Sequence, residues 1–576
     1  MSQNPQPYLA LVEPSRTSLS YAPSRPRLLA EWVDQLPKVN HAETSHRLYK
    51  AIREINQLKC SPADRLELLD ILAPEIEHAA DGLFRRYLER PFALDEMERK
   101  VLSLTHGMAI ELGAGYKEVA QATAGGWGLG RKDMAARALH HCIWSILPNL
   151  YRMFSLYLPA PKGFWRELHD LYQLGLQLDS GTRPFDWNGH SRTLNQAYQA
   201  ALLFSIAQPF QLQRHELDPL FQACVAWAPG AQLEKAGQGG IYVVDLTRDQ
   251  GPSQLSHDTT LHGNLISLYT GDLVTQLQTP QSLPAVPNMT ERLRDHLGMA
   301  WDRAQPRAFQ RKPTQGAVTV TLGLSAVHSQ LCGGHSFSHF LAAYADYLPP
   351  DDGRDSRFQA RDTLATRQSQ DAWDQSHDAA RDLAPDAAAD TPDTTAETAA
   401  EVMEYPATAV NMSPRGFCLH WPDPVPEHLI MGEVISVKAE NASHRTIGLL
   451  RWLRQYRGSG VRGGVELLSP QAEACAVRVV NTSGPNSDFL RAILLPEINA
   501  VAQPESVVMP RLQVRAGQKI LLYRNGRQQA YRLLHKINET SAAGQFSIAP
   551  AGPTEADRPK AQKDLDLQND PLWRPV

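Results

Sequence analysis

Apolar residues recur at every third or fourth position through the first 225 residues, which is the spacing of amphipathic helices. The pattern is clear after Ser61, where the apolar positions are Leu66, Leu69, Ile71, Leu72 and Ile76. Ser61 is a suitable N-cap and Pro62 suits the first helical position, so a helix is predicted to begin there. Pro74 predicts a break or a kink within that helix.

The same periodicity predicts six further helices, over residues 28–36, 46–58, 96–122, 134–158, 164–178 and 194–207. Glycine and proline separate them, as at Gly125-Gly126 and at Pro159-Ala160-Pro161. Helices of this length joined by short turns form a bundle or a superhelical array. We therefore expect an all-helical domain over residues 20–225.

The pattern changes in residues 226–348, where strand-like and helix-like stretches alternate. Residues 240–246 and 317–322 are rich in β-branched side chains and predict strands, whereas residues 265–277 and 290–301 have helical spacing. This segment is expected to be mixed α+β. Residues 349–400 that follow consist mainly of Asp, Ala, Thr and Pro, a composition that cannot organise a core, and are predicted to be an acidic disordered linker.

Strand patterns resume after the linker. Short strands are predicted at residues 407–410, 416–420, 434–439, 447–453 and 464–468. This spacing is typical of a small antiparallel barrel, which we assign to residues 401–480. Weaker strand patterns around an Asn525-Gly526 hairpin turn make residues 481–550 a β-rich extension, and residues 551–576 are expected to form a tail.

The predicted fold class is therefore multidomain α plus β. It has a helical N-terminal half, a mixed middle segment and a small C-terminal antiparallel β-barrel. A chain of 576 residues is too long for one core and suggests about three or four domains.

Composition limits the classes of function. The net charge of −5 gives no bulk attraction for nucleic acid or for an anionic membrane. The longest apolar stretch, residues 200–207, is too short to span a bilayer, and no signal peptide is recognised. The six cysteines stand singly, as in proteins of a reducing compartment. We expect a cytoplasmic protein that binds no nucleic acid and has no membrane span.

Two groups of reactive residues do not predict a metal or catalytic site. His140, His141 and Cys142 are consecutive, and successive helical residues point about 100° apart, so the three cannot converge on one ion. The serine of Gly323-Leu324-Ser325 and the cysteine of Cys332-Gly333-Gly334 lack a nucleophile motif and an assignable acid–base partner. An enzyme acting on a nucleotide would need a phosphate loop, a metal site or an acid pair, and none is recognised. The prediction is no metal ligand, no catalytic residue and no enzymatic activity.

Residues 410–419, VNMSPRGFCL, and 448–467, GLLRWLRQYRGSGVRGGVEL, are the most informative stretches. The first holds Asn411-x-Ser413-x-x-Gly416 between two apolar runs, and the second predicts two strands joined by a basic, Gly-rich turn. From about residue 405 to 468 the chain resembles a PilZ domain, the small β-barrel that receives cyclic di-GMP in bacteria. That resemblance implies that Asn411, Ser413 and Gly416 contact cyclic di-GMP as a regulatory ligand, with no other cofactor.

Arginines supply the other half of the PilZ signature, an RxxxR arm that usually lies twenty to thirty residues before the Asn motif. No such pair occurs between residues 380 and 411. Two candidate runs lie further upstream: Arg357 with Arg361, and Arg303 with Arg307 and Arg311. Arg415 and the arginines of the basic hairpin are alternative sources of positive charge: Arg451, Arg454, Arg457 and Arg462. An arginine fork suits guanine O6/N7 and phosphate.

Two functions remain open at this stage. In the first, the chain is a cytoplasmic cyclic di-GMP effector that passes the signal to an unidentified protein partner through its helical half. The layout also resembles long PilZ proteins linked to type IV pilus and surface-motility control. In the second, the barrel is degenerate and acts as a protein-interaction adaptor without nucleotide. The missing arm favours the second function, and the retained Asn-x-Ser-x-x-Gly residues favour the first.

Overall fold

The structure is a computed structural model that describes residues 7–88, 96–125, 129–236, 240–255, 263–279, 282–302, 312–345, 403–426, 428–440, 442, 444–456, 460–481, 486–498, 503–512, 514–540 and 542–551. The chain divides into two compact units. The helical unit comprises Met1–Gln310, Trp421–His428 and Trp452–Gly463, and the barrel unit comprises Arg311–His420, Leu429–Arg451 and Gly464–Val576. The predicted linker, residues 349–400, and nearly all of the predicted tail lie outside the described residues.

The helical unit contains α1 (Pro26–Asp34), α2 (His41–Asn56), α3 (Pro62–Leu88), α4 (Glu96–Ala124), α5 (Leu129–Ser155), α6 (Phe164–Gln177), α7 (Leu194–Ile206) and α8 (Arg214–Trp227). The predicted helical N-terminal half is confirmed. Helix α3 begins as predicted, since the Asp64 backbone N–H donates to the Ser61 hydroxyl at 3.1 Å. The helix continues through Pro74, so a break at this proline was the wrong expectation.

The core of the helical unit is continuous from its first helices to its last. Tyr116 on α4, Leu147 on α5 and Phe204 on α7 are fully buried in one hydrophobic cluster. Trp301, which lies more than a hundred residues later than most of these helices, belongs to the same cluster. The unit is therefore stabilised by burial of one apolar core across the helices.

A β-hairpin that the sequence analysis missed interrupts the helices. It consists of β1 (Pro184–Trp187) and β2 (His190–Thr193), joined by Asn188-Gly189. Both turn residues have positive φ, 52° and 79°, as a type I′ turn requires. The Asn-Gly pair was the available sequence signal.

The mixed middle segment is confirmed, with one element of the wrong type. Strands β3 (Gln232–Lys235), β4 (Tyr242–Asp245), β5 (Ser253–Gln254) and β6 (Leu265–Tyr269) form a sheet in the order β3-β6-β4-β5, followed by α9 (Gly271–Leu277) and α10 (Glu291–Asp302). The single helix predicted over residues 265–277 is therefore a strand followed by a short helix. β-Branched and aromatic side chains around residue 266 outweigh the helical spacing there.

The first barrel of the barrel unit closes from six antiparallel strands. They are β7 (Lys312–Leu322), β8 (Tyr405–Ser413), β9 (Gly416–Trp421), β10 (Val434–Ala439), β11 (Thr446–Tyr456) and β12 (Gly460–Ser469), ordered β10-β11-β12-β9-β8-β7. Strand β7 lies before the predicted linker, in the segment that the sequence analysis kept apart from the barrel. Its pairing with β8 and β10 closes the barrel, so this strand belongs to it.

A second closed barrel follows, where the sequence predicted only a β-rich extension. Its strands are β13 (Glu473–Val479), β14 (Leu490–Leu495), β15 (Ser506–Pro510), β16 (Lys519–Arg524), β17 (Arg527–Glu539) and β18 (Ala543–Pro550), ordered β13-β14-β15-β18-β17-β16. The predicted Asn525-Gly526 hairpin turn is confirmed, with φ of 47° and 73°. Strand β13 belongs to this barrel, although residues 473–479 were assigned to the first.

Two helices, α11 (Leu324–Leu331) and α12 (Phe337–Ala345), follow β7. Leu324 and Val327 of α11 pack in one hydrophobic cluster with Val434 and Ile447 of the first barrel and Ile493 of the second. This shared cluster joins the two barrels within the barrel unit. These two helices were not predicted from the sequence, because they are only 8 and 9 residues long.

All six cysteines are free thiols. No helix in the described part of the chain combines the length and the apolar composition needed to cross a bilayer.

Candidate functional site

The Asn-x-Ser-x-x-Gly residues lie on the hairpin between β8 and β9. Ser413 is directly opposite Gly416, so Pro414 and Arg415 form a two-residue turn between the strands. The Ser413 hydroxyl donates to the Gly416 carbonyl oxygen at 3.3 Å and closes the turn. The sequence analysis ended the first strand at residue 410, whereas β8 continues through Asn411 to Ser413, so the turn itself is shorter than expected.

A β-bulge sets the direction of the motif side chains. The register between β8 and β9 shifts between Ala409 and Asn411, so the two residues flanking Val410 pair with Leu419 and Cys418. Bulges of this kind change the direction in which the following side chains project. Asn411 and Ser413, two residues apart, then project to the same side of the strand, and Met412 between them is 46% exposed.

Gly416 is required by a close approach of backbone. A Cβ at this position would lie 2.3 Å from the carbonyl oxygen of Val465 on β12, which is too short for any real side chain. The preceding residue, Arg415 of the turn, also contacts this strand, because the Leu467 N–H donates to the Arg415 carbonyl oxygen at 2.9 Å. These contacts with β12 fix the backbone of the turn, and the Arg415 side chain is exposed.

Strand β7 lies along the other edge of β8. Pro313 is opposite Asn411, and Lys312 is opposite Met412. Lys312 is exposed and was not among the residues that the sequence analysis selected. Its position directly after the Arg303, Arg307 and Arg311 run was the signal that could have identified it.

The candidate arm arginines lie outside the described residues. This holds for Arg357 and Arg361, and equally for Arg303, Arg307 and Arg311. The Arg303, Arg307 and Arg311 run is nevertheless followed directly by Lys312. Lys312 is a described residue and lies opposite Met412.

Three arginines of the β11–β12 hairpin are described, and each has a partner within the protein. Arg451 donates to the Glu466 carboxylate at 2.5 Å and to Asn538 at 2.6 Å. Arg454 and Arg462 both stack on the ring of Tyr456, at 5.6 Å and 4.8 Å from its centre. Arg457 lies outside the described residues. These contacts explain the basic hairpin structurally, without a ligand.

One carboxyl group of the first barrel is buried without a charged partner in the part of the chain that the structure describes. Glu433 precedes β10, is 4% exposed, and its Oε2 has no hydrogen-bond partner among the described residues. Desolvation raises the pKa of Glu433 from 4.5 to about 7, partly offset by a hydrogen bond from the Val434 backbone. Glu433 is not one of the Asn-x-Ser-x-x-Gly residues.

The consecutive histidines of α5 are internal packing residues. Their Nδ1 atoms lie 3.0 Å apart, and burial lowers the pKa of His140 to about 4 and that of His141 to about 3. Both rings are therefore neutral at physiological pH. Within the described ranges, no three His, Cys, Asp or Glu side chains are grouped to hold a metal ion.

Six antiparallel strands that close around a core, with an Asn-x-Ser-x-x-Gly turn on the β8–β9 hairpin, define a PilZ barrel. Three family models match successive parts of the chain. They are the N-terminal domain of the cyclic-di-GMP receptor FimW over residues 27–237, its middle PilZ domain over residues 241–474, and the FimW C-terminal β-barrel domain over residues 475–551. The three matches follow one another in order from residue 27 to residue 551, and the first barrel lies within the stretch that matches the middle PilZ domain.

A curated relative agrees with this assignment over nearly the whole length. The chain is 29% identical over 597 residues to the "Cyclic-di-GMP receptor FimW" of Pseudomonas aeruginosa strain PAO1. The aligned region covers 97% of this chain and 96% of that protein. No solved structure matches the chain.

Proposed function

We propose that this chain is a cyclic di-GMP receptor that binds the dinucleotide at the β8–β9 turn of the PilZ barrel. The name of the P. aeruginosa relative and the middle PilZ domain support this proposal. In it, Asn411 and Ser413 hydrogen-bond the ligand, and Gly416 keeps the turn compact enough for the ligand to approach the backbone. Arg415 contributes positive charge from the tip of the turn.

The observation that carries the proposal is the pairing of β7 with the motif strand. Because Lys312 is opposite Met412, the chain that precedes it enters the barrel beside Asn411 and Ser413. Arg311 immediately precedes Lys312, and Arg307 lies five residues before Lys312. A fully extended chain of five residues is about 17 Å long. Because this connection is short, these arginines have a high local concentration at the turn, where they would bind an anionic dinucleotide.

This connectivity favours one of the two candidate arms. Arg361 is 44 residues before Tyr405, the first residue of β8. A chain of that length has an end-to-end distance of about 35–40 Å, so its local concentration at the turn is much lower than that of Arg307 or Arg311. We therefore assign the arm to Arg303, Arg307 and Arg311, and keep Arg357 and Arg361 as the alternative.

The wider role follows from the architecture. We propose that the receptor acts without catalysis in the cytoplasm, and that its helical unit holds a protein partner, in type IV pilus or surface-motility control. The alternative function, an adaptor whose barrel has lost its nucleotide, is favoured by one observation. Several cationic side chains of the PilZ hairpin already have internal partners, such as Arg451 with Glu466.

Titration calorimetry of the full chain with cyclic di-GMP separates the two, with GTP and cyclic AMP as controls. Saturable binding of cyclic di-GMP alone supports the receptor. No detectable binding to any of the three nucleotides at several temperatures, confirmed by a second method, supports the adaptor.

A further inference from the structure

One side of the second barrel carries uncompensated positive charge. Residues 473–550, which form this barrel, contain nine Lys and Arg residues against five Asp and Glu residues. The whole chain, in contrast, has a net charge of −5. Four of these cations lie on or beside the outward side of β13, β16 and β17, and we call them the basic face: Arg478, Arg515, Lys519 and Arg532.

Strand register brings three of these cations together. Lys519 of β16 is directly opposite Arg532 of β17, so both project from the same side of the sheet. Arg478 of β13 is opposite Leu521, two residues from Lys519, and therefore also projects to that side. Like charges placed opposite one another oppose folding, which makes this arrangement costly unless an anion covers it.

The barrel's own acids do not neutralise the basic face. None of its four cations forms an ion pair with a residue that the structure describes. Glu539 is engaged by Arg511 and Lys536, and Glu505 by Arg524. Arg478 instead stacks on Phe489, 4.0 Å from the ring centre, and its buried Nε has no hydrogen-bond partner among the described residues.

The basic face is also solvent-accessible. The other side of the barrel packs Ile493, Leu495 and Val508 against α11 in the shared cluster. On the basic face Arg515 and Arg532 are exposed, and Leu534, two residues beyond Arg532 on the same strand, is 40% exposed. An acidic segment with a few apolar side chains fits this combination of charge and apolar surface.

We propose that the basic face binds the chain's own acidic segment, residues 349–400. That segment contains twelve Asp and Glu residues against five Arg residues, and it also contains Phe358 and Trp373. It joins α12 to β8, so both of its ends are attached to the barrel unit. Such tethering gives an effective concentration on the order of millimolar, whereas the net negative chain repels a free polyanion.

Zero-length carbodiimide cross-linking of the full chain tests this contact, because the reagent joins a carboxylate only to an amine that touches it. Lys519 is the lysine of the basic face, and Lys132, exposed on α5, is the reference. The expected result is cross-links from residues 349–400 to Lys519 in preference to Lys132, lost in 0.5 M salt at which charges are screened within about 4 Å. Mixing isotope-labelled with unlabelled chain shows whether each cross-link joins one chain or two.

Limited trypsin cleavage at Arg367 and Arg381 provides a second measurement. Lys519→Glu with Arg532→Glu is expected to speed this cleavage about fivefold at low salt, by removing two ion-pair partners of the segment. The matched control, Arg131→Glu with Lys132→Glu, makes the same change in net charge on the helical unit and should leave the rate unchanged.

Three results would overturn the proposal. Equal cross-linking of Lys519 and Lys132 or a cleavage rate unaffected by the reversal would leave the basic face for an external polyanion such as a nucleic acid. Cross-links that join two chains would assign the basic face to a second copy of the protein.

Discussion

Pro313 of β7 lies opposite Asn411 of β8, although 98 positions separate the two residues in the sequence. This pairing brings the chain that follows Arg311 to the edge of the Asn-x-Ser-x-x-Gly turn. The absence of an RxxxR pair just before Asn411 therefore does not show that the arm is missing. The motif strand is not the first strand of its barrel, and the chain enters the barrel at β7.

The two candidate arms give opposite results on substitution. Arg307→Ala with Arg311→Ala is expected to weaken cyclic di-GMP binding by more than about a hundredfold, since each arginine removed takes with it charge-assisted hydrogen bonds of about 1.5–3 kcal/mol. Arg357→Ala with Arg361→Ala, which removes the same charge, should leave affinity within about threefold. Calorimetric titration of both variants measures this. If only Arg357→Ala with Arg361→Ala loses binding, the arm consists of Arg357 and Arg361 instead.

Gly416 gives a test of the turn's support by β12. Gly416→Ala places a Cβ against the Val465 carbonyl oxygen, and the resulting strain should lower the free energy of unfolding of the barrel unit by about 1–3 kcal/mol. Gly316→Ala on β7 is the matched control, because nothing lies within 4 Å of a Cβ there. Urea unfolding compares the two. Equal stability of both variants would mean that β12 does not constrain the turn.

Buried Glu433 predicts a pH dependence of stability. Its pKa is about 7 in the folded protein and ordinarily 4.5, so the folded state binds the proton more tightly. Stability from this group is complete below pH 4.5 and is lost as pH rises to about 7. Glu433→Gln, which stays neutral, should therefore stabilise the barrel unit by up to about 3 kcal/mol at pH 8 and by little at pH 4.

Urea unfolding at these two pH values measures the effect. Glu440→Gln, at an exposed position just beyond β10, is the control and should change stability equally at both. If Glu433→Gln is destabilising at pH 8, the carboxylate has a partner that stabilises its charged form.

Local patterns predicted those parts of the fold that local chemistry determines. The helical half followed from apolar spacing, and Asn525-Gly526 correctly predicted its hairpin, since few residue pairs accept two positive φ angles. Asn188-Gly189 carried the same information and was passed over within a run of helices. The helix predicted over residues 265–277 failed because a short apolar stretch fits both periodicities.

Long-range pairing could not be predicted in this way. The strand near residue 318 was recognised, but nothing local shows that it pairs across the acidic segment with Ala407 and Thr408. For the same reason the second barrel was recognised only as strands, because closure depends on β13 meeting β16. In the candidate site, the turn residues were predictable from their motif, whereas the support from Val465 and the place of Lys312 depend on strands distant in sequence.

The most direct test is calorimetric titration of cyclic di-GMP into the wild-type chain and into Asn411→Ala with Ser413→Ala, with Met412→Ala as a control on the same strand. The account predicts saturable binding to wild type and to the control, and none to the double variant, with all three folded by circular dichroism. Equal affinity for the double variant and wild type would contradict it, because the Asn-x-Ser-x-x-Gly turn would then not be the binding site.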